Sequence, residues 1–126
     1  MATAVNESVP AFLDKYTRRQ GRGGKSFFQL KQTRTTDGFD CIFLDRKQVK
    51  GKAICRLYNA RPMQCRTWPF WPENLESRQS WESLKTAKDG CPGINKGPPS
   101  SVEHISQQRD DMMNWRLRLA KPTKLK

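Results

Sequence analysis

A chain of 126 residues with a net charge of +12 and only 35 % hydrophobic residues has room for one domain and little material for its core. Its apolar runs are a few residues long, which excludes a membrane-spanning helix, and the opening MATAVNESVP lacks the basic and apolar regions of a secretion signal. The expectation is a cytoplasmic, reducing setting, in which cysteines stay reduced rather than forming disulfides. The 24 Lys and Arg against 12 Asp and Glu favour an anionic partner and give no reason to expect a membrane. Residues 1–37 carry 7 basic and 3 acidic groups, residues 38–97 carry 11 and 6, and residues 98–126 carry 6 and 3, so the excess reads as spread along the chain.

Residues 8–19 have the apolar spacing of a helix at Val9, Phe12, Leu13 and Tyr16, with Ser8 as N-cap and Pro10 in the first turn. Gly21-Arg22-Gly23-Gly24 then reads as a flexible connector. Strands are expected at 26–33, 39–44 and 52–58, with a turn at Asp37-Gly38 and a hairpin carrying Cys41 and Cys55. Three prolines make residues 59–72 mostly turn. A short helix at 78–88 would turn Trp81 and Leu84 inward, and Gly90-Cys91-Pro92-Gly93 demands a tight turn. Beyond Gly97-Pro98-Pro99, residues 100–119 form a second helix capped by Ser100 or Ser101, with an apolar stripe of Val102, Ile105, Met112, Trp115 and Leu119. The tail KPTKLK is expected to be disordered. The fold class is therefore α+β: a small domain of short strands and turns around a cysteine site, flanked by an N-terminal and a C-terminal helix. Its division is expected to be a cysteine-cluster domain over 1–97 and a helix with a basic tail over 98–126.

Cys41, Cys55, Cys65 and Cys91 are spaced C-x13-C, C-x9-C and C-x25-C, none of them the short pair of a zinc ribbon. Thiolates are ligands for Zn²⁺ or an iron–sulfur cluster. The neighbours favour that chemistry: Gly90, Pro92 and Gly93 force a turn around Cys91, and Arg56, Arg61 and Arg66 would offset the charge of a thiolate site. Read from residues alone, inert buried cysteines in a Trp-rich core remain the competing account.

The run DCIFLDR at 40–46, CRLYNARPMQCRTWPFWPENL at 55–75, Trp81 and GCPGINKG at 90–97 resemble the YkgJ-type cysteine-cluster proteins, described as a zinc- or iron-chelating domain and distantly similar to flagellin N-methylase. The resemblance covers about residues 9–97. It implies that Cys41, Cys55, Cys65 and Cys91 are metal ligands, and that Arg61, Pro62, Pro69, Phe70, Trp71 and Pro72 are framework around the site, joined by the adjacent Arg56, Arg66, Pro92 and Gly93. The family opens with a CxxC and a CC pair, whereas no cysteine precedes Cys41 here. The expectation is a shortened member whose Met1 is not the natural start.

The remaining candidates read as structural. His104 is the sole histidine, so chemistry that needs a histidine pair on a metal is excluded. Asp110 and Asp111 are adjacent and diverge on a helix, and Gly21–Ser26 lacks the spacing of a phosphate loop. Tyr58, Trp68, Phe70 and Trp71 interleave with Arg56, Arg61 and Arg66, a pattern shared by single-strand nucleic-acid binders and by aromatics packed over a site. Three functions stay in view: a thiolate metal site of mainly structural role, an iron–sulfur redox or protein-modifying component, and a basic nucleic-acid-binding module with a zinc-stabilised core.

Overall fold

The computed structural model describes residues 1–88 and 90–120, without the side chain of Arg22. The fold is α+β, with short antiparallel strand pairs and a helix toward each end. The expected disorder of the tail 121–126 falls outside the described residues. The chain forms two compact units, one of Met1–Arg61 and one beginning at Pro62.

The first unit opens with a 3₁₀ turn at Thr3–Val5 and helix α1 at Val9–Tyr16. Ser8 caps α1, its hydroxyl accepting from the Ala11 N–H at 3.3 Å. The helix is three residues shorter than its apolar pattern suggested. Thr17 leaves helical geometry at φ −126° and ψ 163°, and its hydroxyl bonds back to the Leu13 carbonyl. The Lys31 ammonium then donates to the Asp14 and Lys15 carbonyls at 3.1 and 2.7 Å, satisfying groups that the helix end would leave unpaired.

Residues 17–30, read above as helix end, flexible connector and strand, fold as one hairpin of β1 (Thr17–Arg22) and β2 (Lys25–Leu30). Gly23 and Gly24 take φ of 58° and 75°, the left-handed pair that a two-residue hairpin turn requires. A second hairpin pairs β3 (Gln32–Thr35) with β4 (Gly38–Cys41) across a turn at Thr36-Asp37, one residue before the expected Asp37-Gly38, because Gly38 already pairs with Thr35. The hairpin expected to hold both Cys41 and Cys55 is smaller: β5 (Leu44–Asp45) pairs with β6 (Ile54–Cys55), which sets Cys55 opposite Leu44, while Cys41 belongs to the preceding ribbon opposite Gln32. Asp45 shapes the intervening loop by accepting from the Lys47 and Gln48 N–H groups, and these bonds hold its carboxyl below its ordinary value.

The core of this unit is Phe12, Phe43 and Leu57. Phe12 and Phe43 lie nearly parallel with centroids 6.1 Å apart, and Tyr16 tilts against both at 5.1 Å. Val9, expected on the same stripe, is 63 % exposed.

The second unit holds α2 (Met63–Thr67), a 3₁₀ turn at Pro72–Leu75, α3 (Arg78–Ser83) and α4 (Val102–Ala120). Ser77 caps α3, and the Ser101 hydroxyl accepts from the His104 N–H at the start of α4. Helix α4 packs on α2 and on Pro72–Leu75. Met112 is buried and Ile105 and Trp115 half-buried, but Val102 and Leu119 at the ends of the expected stripe are exposed. Arg116 forks onto Glu73 with two bonds of 2.8 Å and lies over Trp71. No described helix is long and apolar enough to cross a membrane.

Two expectations follow. Phe12→Ala should lower stability by about 3–5 kcal/mol, the usual cost of emptying an aromatic core site, while Val9→Ala should change it by no more than about 0.5 kcal/mol; chemical denaturation of both variants makes the comparison. The second concerns Glu73, whose carboxyl is held below its ordinary value of 4.5 by the Arg116 guanidinium. A depressed acid stabilises the fold above its unfolded value and loses that contribution as pH falls through the folded one. Both partners are substantially exposed, so Glu73→Gln should cost well under about 1 kcal/mol at pH 7 and less at pH 2. An equal cost at both pH values would exclude the ion pair as its source.

Candidate metal centre

The four cysteines fall two in each unit. Cys41 closes β4 and Cys55 lies on β6, and both half-buried thiols pack against the Phe12, Phe43 and Leu57 cluster. Only Ile42 and Phe43 separate β4 from β5, the partner of β6, and the Arg56 N–H bonds to the Phe43 carbonyl at 2.9 Å, so Cys41 and Cys55 both meet one apolar floor. Cys41 also lines a concavity of about 400 Å³ with Thr33, Asp40, Arg46 and Arg56. Arg46 grips the Asp40 carboxylate in a two-bonded fork, which holds that acid below its ordinary value. Arg56 donates to the Ile42 carbonyl at 2.7 Å and covers the Phe43 ring, the ring against which both thiols pack.

In the second unit Cys65 is exposed on α2, its N–H bonded to the Pro62 carbonyl at 3.1 Å. Pro62 is the N-cap of α2, and Arg66 follows with a contact from its guanidinium to the Met63 sulfur. Cys91 stands in the expected turn. Its N–H donates to the Leu84 carbonyl at 2.8 Å, and its own carbonyl accepts from Ile94. Gly90 is required there, because a Cβ at this position would lie 2.0 Å from the Leu84 oxygen and 2.9 Å from that of Ala87. Cys91 and Gly93 line a cavity of about 490 Å³ whose walls include Phe70, Trp81 and Ile105. Pro92 lies between them in the same turn.

The framework residues are packed. Trp71 donates from its indole to the Gln64 carbonyl at 3.1 Å and meets Trp68 edge-on at 4.7 Å. Pro69 follows a cis peptide, and its carbonyl accepts from the buried Asn74 amide at 2.8 Å. Phe70 stacks on Trp81 at 5.8 Å and takes the His104 ring edge-on at 6.0 Å, so His104 packs as expected. Arg61 donates to the Tyr58 carbonyl and lies 3.9 Å over that ring. Of the interleaved aromatics, Trp68 and Trp71 are therefore committed to each other and Phe70 to Trp81 and His104, and Tyr58 alone stays largely exposed. The Gly21–Ser26 stretch is a hairpin turn with no helix behind it, which removes the phosphate-loop reading.

The donor chemistry suits a thiophilic metal: Cys41, Cys55 and Cys91 are free thiols, and none of the three is sealed in the core. Among the described residues no three Cys, His, Asp or Glu side chains gather as a ready-made metal site. Sequence reading missed Gln64, whose buried Oε1 has no hydrogen-bond partner among the described residues and which immediately precedes Cys65. An interior glutamine leaves no spacing signal by which it could have been found.

A family model named for a CxxCxxCC pattern, with the description "Putative zinc- or iron-chelating domain", matches residues 7–92. The matched stretch contains all four cysteines and ends one residue beyond Cys91. No solved structure matches the chain.

The tight turn makes a specific demand. Gly90→Ala should lower the stability of the second unit by about 1–3 kcal/mol, the range for a forced overpacking. Thermal melting tests it, and a curve superposable on that of the parent protein would show that the turn shifts without cost.

Proposed function

We infer the function from one premise: the chain belongs to the CxxCxxCC family of zinc- or iron-chelating domains. On that premise Cys41, Cys55, Cys65 and Cys91 are its metal ligands, and the protein is a thiolate metal-binding module. The observation that carries this reading is the matched span itself, residues 7–92, which includes every cysteine of the chain. Free, partly accessible thiols at Cys41, Cys55 and Cys91 support it. Bound zinc would supply a structural tie, and a bound iron–sulfur cluster would supply electron transfer. The protein's own residues would hold the thiolates: the aromatic floor of Phe12 and Phe43 behind Cys41 and Cys55, and the backbone of the Gly90 turn behind Cys91. Arg56, with its guanidinium already placed over Phe43, offsets negative charge next to Cys55. The role proposed is mainly structural, because a small chain with a thin core gains most from metal ligation.

The test is purification without oxygen, followed by elemental analysis for zinc and iron and by titration of reactive thiols. The expected result is stoichiometric metal with all four thiols protected, the protein being colourless with zinc and brown with a cluster. Cys55→Ser and Cys65→Ser should each lower metal content and melting temperature together. Metal-free protein with four reactive thiols and an unchanged melting curve in both variants would refute the assignment.

A further inference from the structure

Between Asp14 and Asp37 the chain carries Lys15, Arg18, Arg19, Arg22, Lys25, Lys31 and Arg34 and no acidic residue. Counting charge by thirds of the chain conceals this, because Glu7, Asp14 and Asp37 lie at or beyond its borders. The structure folds the stretch into β1, β2 and the start of β3. Beyond its first pair, the buried Thr17 with Leu30, neither face of the β1–β2 ribbon is packed: Phe27 and Phe28 on opposite faces are 51 % and 54 % exposed, and the strand positions around them are exposed as well. On the next ribbon Phe39 stands directly opposite Arg34 and is 66 % exposed.

The register sorts these side chains. Arg18 pairs with Gln29 and Gln20 with Phe27, so all four share one face of the ribbon. That face continues into a concavity of about 290 Å³ lined by Arg18, Gln20, Gln29, Lys31, Arg34 and Phe39, with no carboxylate in its lining. Lys31 is fixed there by its bonds to the end of α1. Among the described residues no carboxylate forms an ion pair with Arg18 or Arg34.

We propose that this concave face, built on Arg18, Gln29, Arg34, Phe27 and Phe39, binds single-stranded nucleic acid. The guanidinium groups meet phosphates, the amides meet base edges, and the exposed rings offer stacking platforms for unpaired bases. A membrane surface fits less well, because Phe27 and Phe28 point to opposite faces and give the ribbon no single apolar side to lay on lipid. An acidic protein would use the charge and leave the rings unexplained. The face shares no residue with the Trp68–Trp71 segment, whose rings pack within their own unit, and the proposal does not depend on the metal assignment.

The test measures binding of the full chain to fluorescein-labelled short oligouridine by anisotropy, with oligodeoxythymidine, a DNA duplex and phosphatidylserine vesicles as the other arms. Single strands of either sugar should bind, with affinity falling as salt rises, and the duplex should bind at least tenfold more weakly. Phe39→Ala should weaken single-strand binding about tenfold, Phe39→Trp should retain it, and Arg34→Gln should reduce the salt dependence by about one ion. Tyr58→Ala, a change at the exposed ring of the rival segment, should leave binding unchanged. All these positions are exposed, and circular dichroism should report an intact fold. The proposal is overturned if oligonucleotides fail to bind at low salt, if duplex or vesicles bind as tightly as single strands, if Phe39→Ala binds like the parent, or if Tyr58→Ala is the variant that loses binding.

Discussion

Phe12 against Phe43 is the contact on which the first unit depends. One ring comes from α1 and the other from the bend between β4 and β5, with Tyr16 tilted against both and Leu57 closing the cluster. No other buried apolar cluster ties the helix to the ribbons among the described residues. The same rings form the floor on which Cys41 and Cys55 rest. So small a core leaves much of the entropy of ordering unopposed. Local devices carry part of the deficit: Ser8 and Lys31 at the two ends of α1, the Gly23-Gly24 turn, and the Asp45 bonds in the loop. Ligation of the thiols would act at the same place as the aromatic contact. A metal bound there would reinforce the packing rather than create a separate tie.

How much was legible in the sequence depended on whether an element buries a face. Helix α4 was readable because Ser101 supplies a cap and Ile105, Met112 and Trp115 an apolar stripe. The β3–β4 turn was readable from Asp37-Gly38. The β1–β2 hairpin was not, because a ribbon exposed on both faces shows no alternation of polar and apolar residues. Its turn glycines then look like a linker. Helix α1 was overextended for a related reason: Arg18 and Arg19 fit a solvated helix as well as a solvated strand, and the stop comes from Thr17 and from Lys31, which is distant in sequence. The cysteines fell between these cases. Each lies on a different element, so no short spacing marks them, and the resemblance to a family did what the spacing did not.

The electrostatics follow the same logic. Acidic residues are placed where they do local work: Asp40 in the grip of Arg46, Asp45 in its loop, Glu73 against Arg116. Each carboxylate so used neutralises a cation nearby and leaves the remaining cations uncompensated. The acid-free stretch between Asp14 and Asp37 is what remains, and the structure displays it on ribbons rather than folding it into a core. A modest average excess thereby becomes a local concentration of positive charge on the ribbons.

The β3–β4 ribbon joins the two proposed activities of the first unit. Gln32 opposite Cys41 and Arg34 opposite Phe39 are successive pairs on one face, since residues two apart in a strand point the same way. The ribbon is only four pairs long, fixed by the Thr36-Asp37 turn at one end and open at Cys41 at the other. A slip of one residue would send Phe39 and Arg34 to opposite faces and turn the Cys41 thiol away from the Phe12 and Phe43 floor. Holding Cys41 therefore holds the register, and the register presents the ring and the guanidinium together. The thiol position and the basic aromatic face are thus two consequences of one strand pairing.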